Sequence, residues 1–174
     1  FSIPMYELEG FEADDMLGTI VEKLKDRDDL EIIIASGDMD TMQLIDGERV
    51  KVFTLKKGIK DTILYSEKEV LDRFGFEPQK LTDYKGLRGD PSDNIKGIKG
   101  IGEKTAENII KEFGTIEEMY EALDLGADER FKKAGISPRI LELIRNGREE
   151  ATFSKMLATI RRDAPIDFVL PNDS

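Results

Sequence analysis

Residues 31–40 read EIIIASGDMD, three isoleucines and an alanine that give way abruptly to two carboxylates. A short apolar run rich in β-branched side chains predicts a buried strand of a parallel sheet over 31–36. Asp38 and Asp40 follow at its carboxyl end, which is where open α/β sheets place their sites. Residues two apart in an extended segment project to one side, so these two carboxylates can converge. The same spacing recurs upstream in GFEADD (10–15), where Glu12 and Asp14 flank Ala13 and Asp15 comes next. A third cluster, GDPSDN (89–94), holds Asp90 and Asp93, three apart and on one face if the turn is helical.

Working outward, Met16, Leu17, Ile20, Val21 and Leu24 repeat at helical spacing and predict a helix over 14–25 with acids in its first turn. Strands are expected over 50–54 and 63–65. Ser66 with Glu69 reads as a capping box for a helix to about Phe74, closed by Gly75. Strands alternating with helices imply an α/β domain with a parallel sheet. From Pro78 onward the chain reads as helical, over 78–87, 104–113, 115–123, 138–146 and 149–161. Thr115 with Glu118 makes another capping box, and Ser137-Pro138 is an N-cap followed by proline at the first helical position. The expected division is 1–78 for the α/β part and 79–174 for the helical part, with the terminal PNDS fraying.

Composition narrows the chemistry. With 39% apolar residues in 174, the chain can bury a real core. It has no apolar run of about 18 residues and no signal-like start. It contains neither histidine nor cysteine. That removes His-based acid–base chemistry, the serine and cysteine triads, and nearly all zinc sites. Any metal held by these residues would be a hard, oxygen-seeking ion such as Mg²⁺ or Mn²⁺. The net charge of −11 opposes general nucleic-acid coating. Between Lys80 and Lys111, however, seven basic residues outnumber five acidic ones, a local landing strip on an acidic body.

Each acid cluster has a plain reading of its own. Asp14 and Asp15 serve equally as first-turn helix acids, Asp38 and Asp40 as loop acids, and Asp93 as a cap. Their joint occurrence carries the argument. Crowded acids of one sign are costly unless something positive lies between them. Two metal ions roughly 3.5–4 Å apart would suit an in-line phosphodiester displacement. Next comes GIKGIGEKTA (97–106), in which glycines allow a tight turn into a helix start whose N–H groups bind phosphate without reading bases. Lys96, Gly97, Lys99, Gly100, Gly102, Lys104 and Thr105 are its candidate DNA contacts. The alternative is a packing corner with solvated lysines. No GxxxxGK[ST] loop is present.

Taken together, GFEADDMLGTI, ASGDMDTMQLI, YKGLRGDPSDNIKGIKGIGEKTAENII and the late SKMLATIRRD resemble the 5′→3′ exonuclease domain of bacterial DNA polymerase I and, more broadly, the flap endonuclease family. The likeness runs in order over essentially the whole chain. It implies a PIN-like parallel α/β domain followed by a helical DNA-binding region with a helix–three-turn–helix (helix-hairpin-helix-like) element. It implies divalent-metal-dependent hydrolysis at 5′ ends and 5′ flaps of duplex DNA and on RNA primer–DNA hybrids, in a bacterial cytoplasm at the nucleoid. By this resemblance Glu12, Asp14 and Asp38 belong near a first metal with Asp15 adjacent, and Asp40, Asp90 and Asp93 belong to a second. The turn from Gly97 to Thr105 would hold duplex and, in some relatives, K⁺.

Two departures stand out. Lys96 and Lys99 occupy positions where bacterial relatives usually carry proline, which exchanges stiffness for charge. Family chains also have further residues before the position matching Phe1, bearing a first strand with its own aspartate, a second acidic position and a basic helical arch. A polymerase region follows in the longest of them. The resemblance therefore implies weak or no activity for this chain alone, with the missing nuclease segment or polymerase region as partners, and an exposed sheet edge. Besides the nuclease, two readings stand: a non-catalytic DNA-structure-binding module that uses the glycine turn, and a structural fragment whose acids are remnants.

Overall fold

The computed structural model describes residues 3–55 and 61–170. The expected fraying of PNDS lies outside these residues. The chain forms two compact units: Phe1–Ser66 joined by Ile160–Ser174, and Glu67–Thr159.

In the first unit α1 (Ala13–Lys23) precedes β1 (Ile32–Ala35), a 3-10 turn at Met39–Leu44, β2 (Val50–Leu55) and β3 (Thr62–Tyr65). The three strands form one sheet in the order β1-β2-β3. β1 and β2 are parallel, with Ile34 opposite Val52, but β1 is buried on one face only and not throughout as its apolar run predicts, since Ile33 is 55% exposed. β2 and β3 are antiparallel, with Val52 opposite Tyr65. Only six residues separate Leu55 from Thr62, short of the roughly dozen that a parallel crossover needs. One face of the sheet buries Ile34, Val50, Val52 and Tyr65, while the other turns Ile33, Phe53, Leu55 and Leu64 outward. β1 and β3 are its edges.

Residues 160–170, counted with the helical part in the division at 78, pack within the first unit. Their backbone is bonded to it at successive points. The Ile160 N–H donates to Gln43 Oε1 (2.9 Å), the Arg161 N–H to Asp15 Oδ1 (2.9 Å) and the Ala164 N–H to Thr19 Oγ1 (3.0 Å). Ala164 and Ile166 then share a core with Met16 of α1, flanked by Tyr6, Phe11 and Phe168. The segment lies so close to α1 that a Cβ on Gly18 would stand 2.7 Å from both Arg161 O and Ile160 Cγ2.

The second unit holds α2 (Glu67–Phe74), a 3-10 turn at Pro78–Lys80, α3 (Leu81–Arg88), a 3-10 turn at Pro91–Asp93, α4 (Glu103–Phe113), α5 (Ile116–Asp124), α6 (Asp128–Lys133), α7 (Pro138–Asn146) and α8 (Arg148–Ala158). The caps expected for α5 and α7 are formed. Thr115 Oγ1 accepts the Glu118 N–H (3.1 Å) while Glu118 Oε2 accepts the Thr115 N–H (3.0 Å), and Ser137 Oγ accepts from Ile140. α3 and α8 meet at Gly86, where a Cβ would lie 2.9 Å from Ala151 O. Beside that contact the buried Asp83 accepts from the Ile116 N–H (2.8 Å) and pairs with Lys155 (2.7 Å). Burial pushes its carboxyl up, against the pull of the ammonium.

Two helices depart from the sequence reading. α6 is absent from it because DERFKK has a single apolar residue, yet that residue, Phe131, is fully buried against Phe113 with ring centroids 4.4 Å apart. α8 ends at Ala158 rather than near Arg161: the Thr159 N–H still reaches back to Met156 O (3.3 Å), but those of Ile160 and Arg161 bond to Gln43 and Asp15 instead of to the helix.

Gly18→Ala tests the tail's seat. Inside a helix this change ordinarily gains about 1 kcal/mol. Here it overpacks the tail against α1, and we expect a net loss of about 1–3 kcal/mol in urea unfolding.

Candidate active site

In the first unit the acids gather at one end of the sheet. β1 delivers Ser36, Gly37 and Asp38 at its carboxyl end, and the 3-10 turn starts at once. Asp38 caps that turn, with Oδ1 accepting the Asp40 N–H (2.9 Å) and its carbonyl accepting from Thr41 Oγ1 (2.7 Å). Ser36 Oγ in turn accepts the Asp38 N–H (3.0 Å). These bonds hold the Asp38 side chain at the start of the loop and seat the Asp40 backbone beside it. α1 supplies the other side of the group from its first turn.

The half-buried Asp14 shows how closely they gather. Its carboxyl is pushed up to about 6, first by burial and then by the negative charges of Asp38, Asp40, Glu12 and Asp15. Four acids thus act on a fifth. The donor set is all carboxylate oxygen, which suits a hard divalent cation, and such an ion would relieve the repulsion that helps to raise Asp14. Glu12, Asp14, Asp38 and Asp40 fit that role.

Asp15 is differently employed. Its Oδ2 accepts the Glu12 N–H (3.0 Å) and its Oδ1 accepts the Arg161 N–H (2.9 Å). Both oxygens are engaged with backbone, so this carboxylate ties the start of α1 to the returning tail. Arg161 also lies over the Phe11 ring at 4.3 Å and pairs with Asp163. Sequence spacing groups Asp15 with its neighbours because only the fold reveals the distant N–H at Arg161.

Asp90 and Asp93 belong to the second unit, where they share a lysine. Lys85 Nζ, from α3, is 2.7 Å from Asp90 and 3.7 Å from Asp93. Asp90 also accepts from the Ser92 N–H (3.0 Å). Burial works to raise the Asp90 carboxyl, but Lys85 and Ser92 outweigh it and hold it below the ordinary carboxylate range. Asp90 and Ile95 exchange both backbone hydrogen bonds at 2.8 Å, closing the loop around the left-handed Asn94. Lys85 was not singled out in the sequence, although its place four residues after Leu81 and five before Asp90 puts it on the helix turn facing the loop.

The glycine turn follows directly. Gly97 has φ +60°, and a Cβ there would stand 2.2 Å from the Gly89 nitrogen, so two backbones touch where only glycine fits. Ile98 and Ile101 point into the core. Gly102 is the N-cap of α4 and no side chain caps it, which leaves the first-turn N–H groups at Glu103, Lys104 and Thr105 open to an outside acceptor. Gly97 and Ile98 are buried, Lys96, Lys99, Gly100, Gly102 and Lys104 are exposed, and Thr105 is half-buried. Among the described residues none of these three lysines is paired with an acid.

Comparison with known proteins gives consistent matches. The family described as 5′-3′ exonuclease, N-terminal resolvase-like domain, matches residues 1–75, and that described as 5′-3′ exonuclease, C-terminal SAM fold, matches 76–172. DNA polymerase I of Bacillus caldotenax is 42% identical over 170 residues, 98% of this chain and 18% of that protein. DNA polymerase I of Bacillus subtilis (strain 168) is 38% identical over 167 residues, 96% of this chain and 18% of that one. The chain therefore spans less than a fifth of the curated relatives it matches. A structure of T5 5′-exonuclease with bound divalent zinc superposes with a TM-score of 0.73 at 24% identity, over 90% of this chain and 53% of that one. The bacteriophage T5 D15 flap endonuclease (D155K), in a pseudo-enzyme-product complex with DNA and metal ions, gives 0.72 at 23% identity, over 90% and 53%. These two show the fold. No helix among the described residues is long and apolar enough to cross a membrane.

The electrostatics yield a measurable sign. Asp14 is protonated more readily in the folded chain than in the unfolded one, so its contribution to stability is greatest at low pH and falls as pH rises from about 4 through about 6. By carboxyl-detected NMR its midpoint should lie near 6, move down in Asp38→Asn, and move further down when Mg²⁺ is added to the wild-type chain.

Proposed function

The chain belongs to the 5′-3′ exonuclease family, and from that premise we propose that it is the metal-binding and duplex-binding part of a nuclease that hydrolyses phosphodiesters at 5′ ends and 5′ flaps of DNA. RNA primers paired to DNA are the natural second substrate, and the bacterial nucleoid is where both occur. The observation that carries the reading is the Asp14 carboxyl, raised to about 6 amid Asp38, Asp40, Glu12 and Asp15 in a chain without histidine or cysteine.

Mg²⁺ or Mn²⁺ bound there would supply Lewis-acid stabilisation of charge developing on the phosphodiester and would activate water. The residues do the rest. Asp14 gives up its proton so that the full set of carboxylates can hold the ion. Asp38 is pre-set by its own loop bonds, and Asp15 keeps α1 in register with the tail. In the second unit Asp90 and Asp93 are proposed ligands of a further ion, which would have to displace Lys85 from between them. Lys96, Lys99 and Lys104, with Gly97, Gly100, Gly102, Thr105 and the α4 N-terminus, form the duplex grip. They contact phosphate and carry no sequence preference. K⁺ on turn carbonyls completes the proposal. No covalent protein intermediate is involved.

The ammonium already between Asp90 and Asp93 favours one competing reading, in which the chain binds DNA structure without cutting it. A labelled 5′-flap duplex with Mg²⁺ or Mn²⁺, followed alongside metal calorimetry, separates the two. The nuclease reading expects Asp38→Ala to lower metal affinity at least about tenfold and abolish cleavage while duplex binding persists. Unchanged metal uptake in Asp38→Ala would sink it. Lys104→Ala should weaken duplex binding equally for all sequences and reduce the salt slope by about one.

A further inference from the structure

The SKMLATIRRD segment (154–163) is drawn into neither the acid group nor the phosphate grip as a ligand, yet its first residue touches the grip. Ser154 of α8 is 1% exposed, and its Oγ accepts the Gly97 N–H at 3.0 Å across 57 residues of chain. The next residue of the turn is held as firmly. The Ile98 N–H donates to Leu87 O (2.9 Å), and the Ile98 side chain abuts Gly147, where a Cβ would meet it at 2.8 Å. Gly97 and Ile98 thus spend their N–H groups on α8 and α3. The groups left to face a phosphate begin at Lys99.

α8 is itself located independently of the turn. Lys155, the neighbour of Ser154, reaches the buried Asp83 of α3 (2.7 Å) and Glu117 of α5 (2.7 Å). Gly86 lets α3 approach Ala151 one turn away. The Ser154 hydroxyl is therefore a fixed point supplied by the helix core, and the turn is hung from it at the residue that precedes its exposed arc. Gly97 leaves little latitude of its own, since its φ of +60° and its contact with Gly89 permit one path only.

We propose that Ser154 is a positioning residue for the nucleic-acid turn: through the Gly97 N–H it sets the direction in which Lys99, Lys104 and the first N–H groups of α4 meet the phosphate backbone. The proposal rests on reading the turn as the duplex grip. Ser154 touches no nucleic acid, so its loss misdirects every phosphate contact without removing one.

The test uses the full chain with Ser154→Ala and Ser154→Thr, and Ser154→Cys to keep volume with a weaker acceptor. Gly97 amide exchange is read by NMR, and affinity for a 5′-flap duplex is read across a salt series. Ser154→Ala should speed Gly97 exchange about tenfold, as loss of one buried hydrogen bond does, and weaken duplex binding by a similar factor with an unchanged salt slope. Ser154→Thr should restore both and Ser154→Cys should fall between. Metal uptake at the Asp14 group should not change. Faster Gly97 exchange with undiminished duplex affinity would overturn the proposal, leaving Ser154 as a partner for one amide and nothing more. A reduced salt slope would also overturn it, since that is the signature of a lost phosphate contact. If wild-type chain shows no salt-dependent duplex binding while Gly97 exchange responds as expected, the grip reading itself fails and the positioning role falls with it.

Discussion

Two backbone N–H groups, at Ile160 and Arg161, decide much of this molecule. Inside a helix they would bond four residues back. Instead Gln43 and Asp15 take them, α8 stops at Ala158, and the chain crosses from one unit into the other. Everything after that point depends on the capture. Ala164 and Ile166 fill the space over Met16, and Gly18 is bare because backbone presses on it. An unpaired buried amide costs about 1–3 kcal/mol, so once the chain leaves the helix the buried Ile160 N–H needs the acceptor that Gln43 supplies.

The protein tolerates crowded acid in two different ways. In the second unit a lysine lies between Asp90 and Asp93, and the charge is settled internally. In the first unit burial of Asp14 and the negative charges of Asp38, Asp40 and Glu12 around it show as a carboxyl that holds its proton nearly to neutrality. The internal hydrogen bonds there fix positions, not charge: Asp38 caps a turn and Asp15 joins two segments. A site whose acids repel one another in this way suits a cation from outside.

Much of this was legible in the sequence because the signals were local. EIIIAS with acids behind it specified a strand and the edge where a site would form, and β1 with Asp38 at its carboxyl end follows. The capping box of Thr115 with Glu118 is complete within four residues, and it forms as the spacing predicts. What escaped reading was set by distant partners. The antiparallel β3 depends on the shortness of its connection, α6 on one phenylalanine among charges, and the end of α8 on two acceptors more than a hundred residues upstream. Asp15 looked like its neighbours for the same reason. The roles of Lys85 and Ser154 likewise exist only once α3 and α8 are folded beside the loops they serve.

A unit assembled from 3–66 and 160–170 also imposes an order of events during synthesis. As the chain leaves the ribosome, α1 and the sheet emerge first but lack the residues that close over Met16 and satisfy Asp15. The intervening helical unit has all its parts as soon as Thr159 is out. The later-made piece can therefore settle before the earlier one, reversing the usual N-terminal-first sequence. Until then the nascent sheet must wait with its seam open, and any pause in translation short of residue 160 prolongs that wait.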